Sequence, residues 1–266
     1  MKPFLKWPGN KYKIIERIKR ELPSGNRLIE PFVGSGAVFL NTDYNSYILG
    51  DINQDLISLF MILKSDGQGF INYAKTFFSK DNNSEDRFYE LRDLFNSTND
   101  SYEKAAIFIY LNKHAYNGLC RYNLRGHFNA PYGRYKRPYF PEIELLEFHK
   151  KSPKAEFVCQ GFHKTFEQAR KGDVIYCDPP YEPLSKTSNF TSYSSSNFNR
   201  FDQEALANMA RSAASRGITV VVSNHDTEYV HSAYNGAKIE QFEVQRYISC
   251  KGDERNRVGE ILAIFS

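Results

Sequence analysis

Apolar and polar positions along this chain follow two alternating periods. Arg27-Leu28-Ile29-Glu30-Pro31-Phe32-Val33 is the short, nearly continuous apolar run of a buried strand. Gly34-Ser35-Gly36 after it predicts a tight turn into a helix over Ala37 to Asn41. A second strand is predicted over Tyr47 to Asp51, and Leu56, Ile57, Leu59, Phe60, Ile62 and Leu63 then recur at helical spacing. Together these form one βαβα half of a parallel sheet. From Gln68 to Tyr116 strand signals stop, and apolar faces around Phe77, Leu91, Phe95, Ile107 and Leu111 predict an inserted helical region. Asn117 to Phe140 mixes Tyr, Phe, Asn, Gly and Pro with Arg and Lys at no sustained period, which predicts an exposed, loop-rich segment. The sheet then resumes with strands over Phe157 to Gln160, Asp173 to Cys177 and Ile218 to Ser223, and a helix over Asp202 to Ser215. Ile239 to Tyr247 and Val258 to Phe265 are predicted to close it as an antiparallel edge pair. Ser185 to Arg200, rich in Ser, Thr and Asn, reads as a mobile loop that orders over a bound base or simply connects.

A length of 266 residues suits one large domain, or a core domain with an insertion. The hydrophobic share of 41% supplies a packed core and excludes a disordered chain. No apolar run approaches the roughly 20 residues of a membrane-crossing helix, and the opening residues lack a secretory signal pattern, so a cytoplasmic protein is expected. Cys120, Cys159, Cys177 and Cys250 show no paired spacing and the histidines no metal-ligand spacing, so free thiols and no metal are expected. Cys177, alternating away from the ligand end of its strand, is expected in the core. A net charge of +4 says little about partners, but its distribution does. Leu111 to Phe140 holds no Asp or Glu, yet carries Lys113, Arg121, Arg125, Arg134, Lys136 and Arg137, which makes it a candidate nucleic-acid face.

Two segments carry chemistry. Gly34-x-Gly36 after a strand lets a nucleotide approach the backbone, and Asp51 at the next strand end is placed to accept from ribose hydroxyls, as an adenosine-containing cofactor requires. Asp178-Pro179-Pro180-Tyr181 ends an apolar strand, where open α/β sheets bind ligands. The prolines hold Asp178 and Pro179 extended, so a carboxylate and the Pro179 carbonyl can accept both protons of a planar exocyclic amine and draw its lone pair out of conjugation. Tyr181 is placed to stack on the attached ring. Arg121 can present a bidentate donor edge to a guanine in a duplex, whereas Arg125, Arg134, Lys136 and Arg137 suit phosphates.

Asp178-Pro179-Pro180-Tyr181, Glu30-Pro31-Phe32-Val33-Gly34-Ser35-Gly36 and Phe4-Leu5-Lys6-Trp7-Pro8-Gly9-Asn10-Lys11 together resemble the Dam family of DNA adenine-N6 methyltransferases, over nearly the whole chain. Tyr116-Asn117-Gly118-Leu119-Cys120-Arg121-Tyr122-Asn123 and Ser223-Asn224-His225-Asp226 extend the similarity, and the motif order resembles the alpha class of amino-methyltransferases. The resemblance implies a Rossmann-like S-adenosylmethionine-dependent methyltransferase sheet, residues 1–67 and 149–266, with an inserted helical DNA-recognition region at 68–148. It implies transfer of methyl from S-adenosyl-L-methionine, leaving S-adenosyl-L-homocysteine, to adenine in double-stranded GATC, without metal. By the same resemblance Trp7, Lys11, Asp51 and Asp178 contact the cofactor, Phe32 and Gly34 line its pocket, and Phe162 faces its adenine. Asp178, Pro179 and Tyr181 hold the target base.

A duplex adenine must be flipped out before its amine is reached. The resemblance gives Tyr116, next to Asn117, the intercalating position, and gives Lys6, Leu119, Arg121, Pro131 and Tyr135 the reading of the site, with Arg134 on the DNA. His225, near the sheet end, supports the pocket. A palindromic site does not require a dimer, so a monomer associated with the nucleoid is expected. The competing readings are a methyltransferase for RNA or a protein amide, a nucleotide-dependent oxidoreductase, and a catalytically silent DNA-binding regulator. Phe39 in place of a third glycine, and the Asp-Pro-Pro-Tyr segment, count against the oxidoreductase.

Overall fold

Seven strands of the computed structural model, which describes residues 1–181, 198–245 and 257–266, form one sheet. They are β1 (Arg27–Glu30), β2 (Ser46–Asp51), β3 (Ala155–Cys159), β4 (Asp173–Cys177), β5 (Thr219–His225), β6 (Lys238–Gln245) and β7 (Arg257–Phe265). Their spatial order is β3-β2-β1-β4-β5-β7-β6. The first five run parallel and β7 lies antiparallel between β5 and β6, so the expected edge pair is present. All five residues of β4 are buried, because apolar layers cover both faces of a parallel sheet. From β1 the chain winds outward to β2 and β3, then returns to β4 and winds the other way. The crevice at that reversal, above the carboxyl ends of β1 and β4, is where such sheets bind ligands.

Ladder pairing of β1 ends at Glu30, short of the Val33 suggested by the apolar run, because Pro31 has no N–H to donate. Val33 still donates to the Gly50 carbonyl, which keeps the turn against β2. Ten helices are described: α1 (Ile15–Glu21), α2 (Ala37–Asn41), α3 (Gln54–Asp66), α4 (Gln68–Thr76), α5 (Glu85–Ser97), α6 (Ser101–His114), α7 (Glu142–Lys151), α8 (Phe162–Glu167), α9 (Arg200–Ser215) and α10 (Glu228–Ala233). Asp100 caps α6 by accepting from the N–H groups of Tyr102 and Glu103. Every residue of α6 from Ala105 to His114 is buried, as a helix enclosed on all sides must be.

One face of the sheet shares a continuous core with α3 to α7. There Phe148 of α7 packs edge-on against Phe4 at 5.2 Å and tilted against Phe60 at 4.7 Å. The opposite face packs α8, α9 and α10 around Phe166, Leu206 and Val230. Position 148/149, where the sequence suggested a return to the sheet domain, falls inside α7. Apart from a 3-10 turn at Tyr116–Gly118, Asn117 to Phe140 holds isolated bridges, Tyr132 with the preceding Ala115 and Tyr122 with Phe128, in keeping with its loop-rich composition. Among the described residues no helix is long and apolar enough to cross a membrane. Cys120, Cys159 and Cys177 are free, and Cys177 is buried in the core. Residues 182–197, most of the Ser185 to Arg200 stretch, and Cys250 lie outside the described residues.

Candidate active site and nucleic-acid face

Glycine fixes the turn after β1. Gly34 (φ +48) and Gly36 (φ +72) are left-handed, and a Cβ on Gly34 would meet Trp7 Nε1 at 2.9 Å. Trp7 therefore lies against bare backbone. Beneath the turn, Asp51 accepts from Gly34 N at 3.2 Å through Oδ2 and from Asn53 N at 2.9 Å through Oδ1. Burial pushes its carboxyl up, and these backbone donors pull the other way. Asn10 donates to Ser35 Oγ at 2.9 Å, securing the N-terminal segment to the turn. A bare backbone over a carboxylate with unused lone pairs fits the ribose of an adenosine-containing cofactor. Phe32 is half-buried, stacked on the buried ring of Phe162 at 5.5 Å, so Phe32 rather than Phe162 presents surface to the crevice.

Across the crevice, the chain leaving β4 delivers Asp178 and Tyr181. Lys11 Nζ stands 2.8 Å from Asp178 Oδ1, 2.7 Å from the Gly9 carbonyl and 4.5 Å from the Tyr181 ring centroid. Burial is the largest influence and works to discharge this ammonium; Asp178, Tyr176 and Glu260 together outweigh it and hold the lysine above its ordinary value. Ser223 Oγ donates to the same Oδ1 at 3.0 Å. His225 meets the Tyr181 ring edge-on at 4.5 Å. Gln203 donates to the Pro180 carbonyl at 3.0 Å. Asp178 Oδ2 and the Pro179 carbonyl accept no hydrogen bond among the described residues.

Glu30, at the foot of this site, is only 2% exposed, and its Oε1 has no partner among the described residues. Burial pushes it up to about 8, against the Phe39 N–H and with help from the Asp178 charge. The folded protein therefore holds a proton that the unfolded chain releases near pH 4.5, and stability from this group is lost as pH rises from there through about 8. Glu30→Gln is expected to raise stability by a few kcal/mol at pH 9 and to leave it unchanged at pH 4. Urea denaturation across that range checks this, and a variant whose stability tracks the parent at both ends would refute it.

The candidate DNA-reading residues gather where the N-terminal segment meets the end of α6. Asn112 accepts from Lys6 N at 2.8 Å and donates to Lys6 O at 2.7 Å. Lys6 Nζ lies 4.3 Å over the Tyr135 ring, and the Tyr135 hydroxyl accepts from Asn117 N at 2.9 Å. Tyr116 donates its N–H to the Pro131 carbonyl and is 53% exposed. Asn117 is left-handed at φ 51. Leu119 is half-buried against the main core. Arg121 spends Nε and Nη2 on Asn129, at 2.8 and 2.7 Å, which fixes its plane and leaves the Nη1 edge available. Arg134 is exposed but lies 3.3 Å from Glu85, while Arg125, Lys136 and Arg137 are exposed.

Sequence reasoning did not find several of these partners. Asn112 sits inside a buried helix, Asn129 inside a loop, and Ser223 inside a motif quoted for similarity alone. Lys113, buried beside Lys6 and pushed down to about 8 by burial first and by Lys6 second, was visible only as one more basic residue.

A family model described as D12 class N6 adenine-specific DNA methyltransferase matches residues 7–248. The chain is 51% identical to a DNA adenine methylase of Serratia marcescens, over 98% of this chain and 97% of that protein. It is 48% identical to one of Vibrio cholerae (99% and 95%) and 47% identical to one of Escherichia coli K12 (98% and 94%). Among solved structures it is similar to a precorrin 8w decarboxylase of Methanobacterium thermoautotrophicum, with a TM-score of 0.43, 9% identity and coverage of 96% of this chain and 89% of that one.

Proposed function

This chain belongs to the D12 class of N6 adenine-specific DNA methyltransferases, and from that premise we propose that it methylates adenine in double-stranded GATC, flipping the base and using S-adenosyl-L-methionine as donor. When bound, that cofactor supplies a methyl group made electrophilic by a sulfonium. Trp7, Phe32, Gly34 and Asp51 hold it over the β1 turn, with Lys11 and Asp178 at its edge. The observation that carries the reading is the pair of acceptors, Asp178 Oδ2 and the Pro179 carbonyl, left unengaged among the described residues at the end of β4 that also delivers Tyr181. They accept the two amine protons, turn the nitrogen lone pair out of the ring and stabilise the charge that grows on it. The proton shed after transfer passes to Asp178 Oδ2.

Tyr116 fills the space the base leaves. Lys6, Asn117, Leu119, Arg121, Pro131 and Tyr135 read the site, while Arg125, Arg134, Lys136 and Arg137 orient the duplex through its phosphates. Residues 68–148 act as the target-recognition region on a catalytic domain of residues 1–67 and 149–266. The protein works as a monomer in the cytoplasm, on nucleoid DNA. The test is transfer of labelled methyl to duplexes containing GATC, altered at each base in turn, or already methylated on both strands. Label on unmodified GATC alone is expected. Label on another sequence would overturn the specificity, and label on RNA or protein alone would overturn the substrate.

A further inference from the structure

Building on the reading of Asp178 as amine acceptor, we propose that Ser223 and Tyr176 form a two-hydroxyl relay that divides the work of the carboxylate, holding Oδ1 so that Oδ2 alone faces the target amine. Tyr176 and Ser223 are 1% and 0% exposed, so no water competes for their hydroxyls. The Tyr176 hydroxyl lies 3.1 Å from Ser223 Oγ, and burial pushes it well above its ordinary value, which keeps it a donor. A serine hydroxyl has one proton and two lone pairs. By accepting from Tyr176, Ser223 turns its own proton towards its acceptors, Asp178 Oδ1 at 3.0 Å and the Cys177 carbonyl at 3.3 Å. The carboxylate is both the nearer and the stronger acceptor.

The sheet register sets this up. Tyr176 pairs with Val221 and Cys177 with Val222, so Ser223 arrives beside Asp178 one step later. Lys11 occupies the second lone pair of Oδ1 at 2.8 Å, and that oxygen is saturated. A carboxylate turns easily about its last bond, whose preferences are broad and two-fold. Lys11 alone cannot stop it, because an ammonium is a compact charge that either oxygen satisfies. The directional bond from Ser223 distinguishes the two oxygens and fixes the plane in which Oδ2 and the Pro179 carbonyl meet the amine. Ser223 and Tyr176 are positioning residues that act only through Asp178.

The test compares Ser223→Ala, Tyr176→Phe, the double variant and Asp178→Ala in the full-length protein. Single-turnover methylation of a GATC duplex is measured with S-adenosylmethionine and duplex affinities, and with the fluorescence of 2-aminopurine at the target position. Ser223→Ala is expected to slow methylation about ten- to hundredfold, the range for one hydrogen bond to a charged group. Tyr176→Phe slows it less, and the double variant is no slower than Ser223→Ala. Both affinities and the 2-aminopurine signal stay within about twofold, placing the loss in the reacting complex. A parental rate for Ser223→Ala, additive losses in the double variant, or a loss confined to affinity would each overturn the relay. If Ser223→Ala does not fold, Tyr176→Phe decides alone, and a parental rate rejects the relay. Inactive Asp178→Ala beside a fully active Ser223→Ala discards the relay and keeps the acceptor, whereas an active Asp178→Ala discards the reading beneath both.

Discussion

Asp178→Ala is expected to lower the methylation rate by about a thousandfold or more while changing duplex affinity by less than about twofold. In the proposed reaction the carboxylate acts on the amine, and among the described residues Arg125, Arg134, Lys136 and Arg137 make no contact with it. A second effect follows from its partner. Lys11 is almost fully buried and Asp178 is the largest of the groups that keep it charged, so the variant leaves a buried ammonium without its ion-pair partner and is expected to melt earlier. Adding Lys11→Met, similar in length and uncharged, should restore much of the melting temperature without restoring activity. Single-turnover kinetics beside thermal melts separate the two effects. Activity returning together with stability would show that Asp178 serves the fold rather than the reaction.

Asp51→Ala should weaken binding of S-adenosylmethionine about a hundredfold or more, because two hydrogen bonds to a charged acceptor are lost at once. The same change frees the N–H groups of Gly34 and Asn53, which Asp51 now holds at 3.2 and 2.9 Å, and loosens the turn on which Trp7 rests. Asp51→Asn keeps an acceptor for one backbone donor but has no charge, and is expected to fall between the two. Calorimetric titration measures this without turnover. Unchanged affinity in Asp51→Ala would remove the ribose assignment.

The strands and the acid at the end of β4 were legible because local pattern determines them. A fully buried strand has a continuous apolar run, and a proline pair after an acid can hold only extended backbone. The helices α8 and α10 were not, since six residues are too few to display a period. Nor was the N-terminal helix α1 or the extent of α7, whose apolar face only makes sense against Phe4 and Phe60. Within the site, the motifs named Asp178 and Lys11 separately, but their pairing spans 167 positions and exists only because the N-terminal segment lies on the β1 turn. The role of Ser223 is likewise invisible until the register of β4 and β5 is known.

Six consecutive residues reach from one job to the other. Lys6 is clasped by Asn112 and rests on Tyr135, and Trp7, Asn10 and Lys11 grip the turn and the Asp178 carboxylate. The stretch is thus a gauge block, setting the distance between the proposed duplex-reading surface and the proposed methyl-transfer pocket. A residue gained or lost between Lys6 and Lys11 cannot be absorbed by either end, because one set of contacts must let go.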